Sequence, residues 1–127
     1  MLHQVEFKVS ENEVYNLRLR TIDTIKLEQK LNKNVMDIFM ELSNNKLPKL
    51  SDLLMIIAYS AKANHQYELT EKNVFNVYDR YLESGKSMFD LIPLIIEIFK
   101  TNGLIPESVD VQNMPNAENE EVIQPEE

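Results

Sequence analysis

The sequence predicts a mainly α fold: a compact bundle of about five short helices with an N-terminal β-hairpin and a disordered acidic C-terminal tail. Three observations carry that prediction. Apolar residues between 21 and 103 recur at helical spacing in short runs bounded by cap residues. Residues 5–9 alternate strictly, and beyond residue 104 apolar side chains become sparse. A single helical domain with its hairpin, residues 1–104, is therefore expected ahead of a tail, residues 105–127. A chain of 127 residues can bury one core without staples.

Val5, Phe7 and Val9 alternate with Glu6 and Lys8, and Val14–Arg20 continues with Tyr15, Leu17 and Leu19 on one side. Ser10-Glu11-Asn12-Glu13 between them is polar and turn-prone, which makes the pair a hairpin with one apolar face. Isolated hairpins are marginal in water. This one must lie on the helices or pair with another chain's edge. Thr21 is expected to cap a first helix through Leu31, with Ile22, Ile25 and Leu31 as its apolar positions and Asn32 as a left-handed stop. Asn34 caps a second helix from Val35 to about Ser43. Pro48 disfavours helix just before it, so Asn44–Lys49 is a loop. Ser51 caps a third helix that should end near Asn64. Thr70 caps a fourth, in which Val74, Phe75, Tyr78, Tyr81 and Leu82 form an amphipathic stripe ended by Ser84-Gly85.

Ser87–Lys100 is the stretch around which the rest should pack. Asp90, Pro93, Glu97 and Lys100 fall on one narrow stripe, and nearly everything else is Met, Leu, Ile or Phe. A helix apolar nearly all round belongs inside. Burying Phe89, Leu91, Ile92, Leu94, Ile95, Ile96, Ile98 and Phe99 contributes roughly 1.5–3 kcal/mol each. That sum exceeds the ~3 kcal/mol expected for an interior Pro93. Ser87 and Asp90 have capping-box spacing, and Gly103 ends the helix.

Net charge is −8, but its placement matters more. Residues 1–104 hold 14 acids against 13 bases, whereas residues 105–127 hold seven acids and no base. Neither part offers the clustered Lys and Arg that nucleic acid or an anionic membrane requires. With no cysteine, disulfides and thiolate metal sites are excluded. The start, Met1-Leu2-His3-Gln4-Val5-Glu6, has no signal-peptide pattern. Leu53–Tyr59 and Leu94–Phe99 are too short to span a bilayer. A soluble cytoplasmic protein is expected, with neither nucleic acid nor membrane as partner.

Catalysis needs convergent groups, and few are in sight. The two histidines, His3 and His65, fall at a terminus and in a polar loop, without metal-ligand spacing. Gly85 and Gly103 belong to helix ends, and no phosphate-cradling glycine motif exists. The pairs Glu68/Glu71 and Glu120/Glu121 flank a helix start and lie in the tail. No enzyme activity, cofactor or metal is expected. A helix-turn-helix in the third and fourth helices would put Asp79 and Glu83 toward DNA, the wrong sign for a groove.

What remains is methionine and aromatic side chains on helices. Such stripes usually fill a core, yet methionine is also over-used on adaptable binding surfaces. On the second reading, the candidate partner-binding residues are Met36, Phe39, Met40, Met55, Tyr59, Tyr78 and Tyr81.

Three stretches in order then carry a family resemblance. They are Ile25–Asn34 followed by Asp37-Ile38-Phe39, then Leu47-Pro48-Lys49-Leu50-Ser51-Asp52-Leu53, then Tyr78-Asp79-Arg80-Tyr81 running into Ser87-Met88-Phe89-Asp90-Leu91-Ile92-Pro93. With the segments between them, residues 25–93 resemble the tail assembly chaperones of long-tailed phages and prophages of Gram-positive bacteria. Asn32 stands where the family pattern has glycine.

The resemblance implies a non-enzymatic chaperone that coats the tape measure protein during tail morphogenesis. It also implies the tail tube protein as a second partner, the host cytoplasm as location, and absence from the mature virion. Many such proteins are made in a short form and a frameshifted longer one. Self-association through the hairpin or apolar helix faces is a further expectation. Two alternatives stay open: an acidic DNA mimic or nucleic-acid-directed regulator, and a small structural tail protein.

Overall fold

In the computed structural model, which describes residues 4–61 and 68–106, the N-terminal alternation becomes an antiparallel hairpin. The expected tail beyond Pro106, together with His3 and His65, lies outside the described residues. Strands β1 (Val5–Ser10) and β2 (Glu13–Leu17) place Phe7 opposite Tyr15 and Val5 opposite Leu17. Phe7, Val9, Tyr15 and Leu17 are buried on one face, while Glu6, Lys8 and Asn16 are exposed on the other. Pairing stops at Leu17 rather than continuing to Arg20. There the chain turns toward a helix end: Leu17 bridges Ala61, and the Arg18 N–H donates to the Ser60 carbonyl at 2.7 Å.

Helix α1 (Thr21–Leu31) starts at Thr21 itself, so Thr21 is not its cap. Arg20 takes that place, with the Asp23 carboxylate accepting its backbone N–H and its Nε, each at 3.0 Å. Ile22 and Ile25 do not face the core; each is 48 % exposed, and the helix buries Leu27 instead. Its inward line runs through Leu27 and Leu31, four residues apart, which turns Ile22 and Ile25 outward. Asn32 is the left-handed stop, at φ 56°. Helix α2 (Val35–Ser43) is capped by the Asn34 side chain, which accepts the Met36 N–H at 2.8 Å.

Helix α3 (Leu50–Ser60) is capped by Lys49 rather than Ser51 and ends before Asn64. Its last turn is closed by Ser60, whose hydroxyl donates to the Ile56 carbonyl at 2.6 Å, and Ala61 is already extended. Helix α4 (Val74–Glu83) begins four residues after Thr70. Thr70 and Asn73 exchange side-chain bonds instead: Asn73 Oδ1 accepts the Thr70 N–H at 2.8 Å, and Thr70 Oγ1 accepts the Asn73 N–H at 3.3 Å. That local turn competes with helix and delays its start. The buried face of α4 is Val74, Val77, Tyr78 and Tyr81, so Phe75 and Leu82 drop out of the expected stripe.

A 3-10 turn (Met88–Asp90) precedes helix α5 (Leu91–Thr101), and the Ser87 N–H donates to Asp90 Oδ2 at 2.7 Å, as the capping spacing requires. Pro93 is the third residue of α5 rather than an interior one. First-turn N–H groups lack intrahelical partners, so the expected penalty disappears. Leu91, Ile92, Ile95, Ile96, Ile98 and Phe99 are buried, Phe89 and Leu94 only partly, and Pro93 and Glu97 face solvent. Ile105 closes onto the core after the turn at Gly103.

The hub is α3, not α5. Helix α3 packs against α1, α4, α5 and β2, and every residue from Asp52 to Ala58 is buried. Helix α5 packs on β1 and α3. Among the described residues, five helices and a two-stranded hairpin thus share one hydrophobic core, with helix predominating. Among the described residues, no helix is long and apolar enough to cross a membrane.

Candidate functional site

Phe75 shows where the surface is open. On α4, the residues at Val74, Val77, Tyr78 and Tyr81 follow helical spacing inward. Phe75 is one step, about 100°, around the cylinder from Val74. It is 55 % exposed, the highest exposure of any large apolar side chain among the described residues. Beside it lies an apolar groove of about 340 Å3 between α3 and α4, lined by Leu50, Ser51, Leu54, Phe75, Tyr78 and Asp79.

The groove does not stop at Phe75. Ser51 and Phe75 also line a second, more polar groove of about 410 Å3, where Leu31, Met55, Asp52, Lys30 and Glu71 form the walls. The charges there are paired. Lys33 Nζ sits 2.7 Å from Asp52 Oδ2, and Lys30 Nζ sits 3.1 Å from Glu71 Oε1. Glu71 also accepts the Tyr59 hydroxyl. That hydrogen bond, first, and then the Lys30 ammonium hold the Glu71 carboxyl below its ordinary value. The same bond pushes the Tyr59 phenol up to about 12. The result is an apolar trough with a neutralised polar end, suited to an amphipathic segment.

The seven residues expected to meet a partner fall into three groups. Met55 and Tyr78 are brought together in the grooves, both largely buried and presenting edges to them. Met36, Phe39 and Met40 lie on α2, the first two packed partly on the core and Met40 52 % exposed. Tyr59 borders the polar end through Glu71. Tyr81 is core: it is 5 % exposed, and its ring centroid lies 5.0 Å from that of Phe7. Reading the sequence also passed over Phe75, Leu50 and Leu54. Phase could have found Phe75, because it is the apolar residue out of step with the 74–77–78–81 line.

A second polar feature joins the hairpin to α4. Arg80 Nε and Nη2 donate to the two Glu13 carboxylate oxygens at 2.9 and 2.7 Å, and the Tyr15 hydroxyl donates to Oε2 at 2.5 Å. Arg80 holds the Glu13 carboxyl below the usual range, and burial first, then Glu13, pushes the Tyr15 phenol up to about 12. This is a structural clamp, since Glu13 is only 8 % exposed. Among the described residues, no group of three or more His, Cys, Asp or Glu could hold a metal ion.

The chain belongs to a family of unknown function (DUF6096), whose model matches residues 6–127. No curated protein and no solved structure matches it.

Proposed function

We propose that the protein is a non-enzymatic tail assembly chaperone of the kind it resembles, and that its α3–α4 groove takes apolar helical segments of a tape measure protein. The observation that carries this reading is Phe75, held out at the rim of a groove floored by Leu50 and Leu54. An amphipathic helix lays its apolar face into such a groove through anchors at helical spacing. A tape measure, long and apolar-rich in the family picture, would aggregate through those same faces. The Lys30–Glu71 and Lys33–Asp52 pairs leave no net charge at the groove's polar end, so an apolar guest meets little electrostatic selection there. Met36, Phe39 and Met40 on α2 supply a second contact, and the tail tube protein is the second partner. The protein acts in the host cytoplasm and leaves before the virion matures.

The test is rescue of solubility. Tape-measure fragments that are insoluble alone should stay in the supernatant when co-expressed with the wild-type chain and precipitate with Phe75→Ser. Fragments that precipitate equally with and without the wild-type protein overturn the reading. Deleting residues 107–127, which spares the buried Ile105, should leave fragment binding intact, whereas an acidic DNA mimic would lose its activity.

A further inference from the structure

Among the described residues, the two edges of the hairpin differ in their backbone partners. The outer edge of β2 meets the end of α3 through the Leu17–Ala61 bridge and the bond from Arg18 to Ser60. Among the described residues, strand β1 pairs only with β2, and no backbone group outside the hairpin bonds to it. An open edge of this length is a template for another strand. Its pattern of apolar and charged positions reads the same from either end, with opposite charges at the two mirrored positions: Val5, Glu6, Phe7, Lys8, Val9.

We infer that β1 is a self-recognition edge, pairing antiparallel with β1 of a second copy about a twofold axis at Phe7. In that register, Glu6 lies opposite Lys8 of the partner copy and Lys8 opposite its Glu6. Val5 lies opposite Val9, and the two Phe7 residues face each other. Twofold symmetry makes each Glu6–Lys8 contact occur twice and puts the Phe7–Phe7 contact on the axis, as an isologous interface demands. Glu6 and Lys8 are both exposed, and among the described residues neither is in an ion pair. Directly opposed charges of opposite sign stabilise an antiparallel pair, and like charges destabilise it. A parallel or shifted register would oppose Glu6 to Glu6 or pair apolar with charged faces. The register slip between Lys8 and Ser10 places Val9 at a bulge, so the regular edge is Val5–Lys8 and the pairing about the axis rests on the two Glu6–Lys8 pairs and on Phe7 rather than on Val9. The helical groove is not used, so self-association and partner binding are separable.

Charge exchange on the full chain tests this. Sedimentation at millimolar protein should show a dimer for the wild type. Glu6→Lys alone and Lys8→Glu alone should each weaken it by roughly tenfold, because both symmetric pairs become repulsive. Mixing those two variants should restore a dimer, as should the double exchange E6K/K8E within one chain. Both positions are solvent-facing, and unchanged circular dichroism confirms that the variants remain folded. A monomeric wild type, or a dimer indifferent to the single exchanges, overturns the inference. Failure of the mixture and of the double exchange to recover a dimer does so as well.

Discussion

Helices α5 and α4 carry comparable numbers of large apolar side chains, yet they meet opposite fates. In α5, the apolar residues wrap most of the cylinder, and β1 and α3 cover it until only Pro93, Glu97 and their neighbours reach solvent. In α4, one stripe packs against β1 and α3, and Phe75 and Leu82 are left outside. The difference lies in the neighbours rather than the side chains. An apolar residue is core when elements exist on its side of the helix, and surface when they do not. Phe75 therefore has little stabilising duty inside the fold, which frees it for a partner.

That contrast can be broken in graded steps. Ile95→Asp puts a charge where α5 is fully covered, 0 % exposed, and should abolish the cooperative urea transition, a loss of more than about 4 kcal/mol. If the variant stays folded but loses its partner, core and groove are reversed. Arg80→Met removes the partner of the buried Glu13 and should cost about 1–3 kcal/mol in chemical denaturation. The pH dependence should follow. Glu13's carboxyl is held below its ordinary 4.5, so its stabilisation is present above that value and is lost as pH falls through the lowered one. In Arg80→Met, only the Tyr15 hydrogen bond still lowers the Glu13 carboxyl against burial, and the acid-side loss of stability should shrink.

On the open side the effects on folding are smaller. Phe75→Ser should leave stability within about 0.5 kcal/mol of wild type while abolishing retention of tape-measure fragments. Should it instead lower the melting temperature substantially, Phe75 belongs to the core and the contrast fails. Tyr59→Phe deletes one exposed hydrogen bond to Glu71 and should change stability by no more than about 1 kcal/mol. A comparison with Met36→Ala then separates the polar end of the groove from the α2 surface in binding.

Much of this architecture is legible in the sequence, for reasons that differ by element. The hairpin is readable because Phe7, Val9, Tyr15 and Leu17 alternate with polar residues, and α2 because Asn34 is a competent cap. Asn32, Gly85 and Gly103 mark ends because each adopts positive φ. Helix starts were less accessible: Lys49 and Arg20 carry no typical cap side chain, and Thr70 and Asn73 form a turn that resembles a cap from spacing alone. The hub was hidden because α3 and α5 are both apolar nearly all round, and composition does not say which touches more neighbours. The groove was legible only in part. Methionine and aromatic content led to Met55 and Tyr78, whereas Tyr81 shares their chemistry and is committed to Phe7.

The Glu13–Arg80 clamp spans 67 positions of the chain. Long-range contacts of this kind slow folding, because the intervening chain must be organised before they form. During synthesis, the hairpin is made first, but Glu13 has no counter-charge until α4 has been made. A nascent chain that ends before Arg80 therefore carries a hairpin with an unlocked tip, and locking waits for the second half of the domain. The clamp thus ties the tip of the hairpin to the second half of the domain, whereas the Leu17 end is held earlier in the chain by the end of α3.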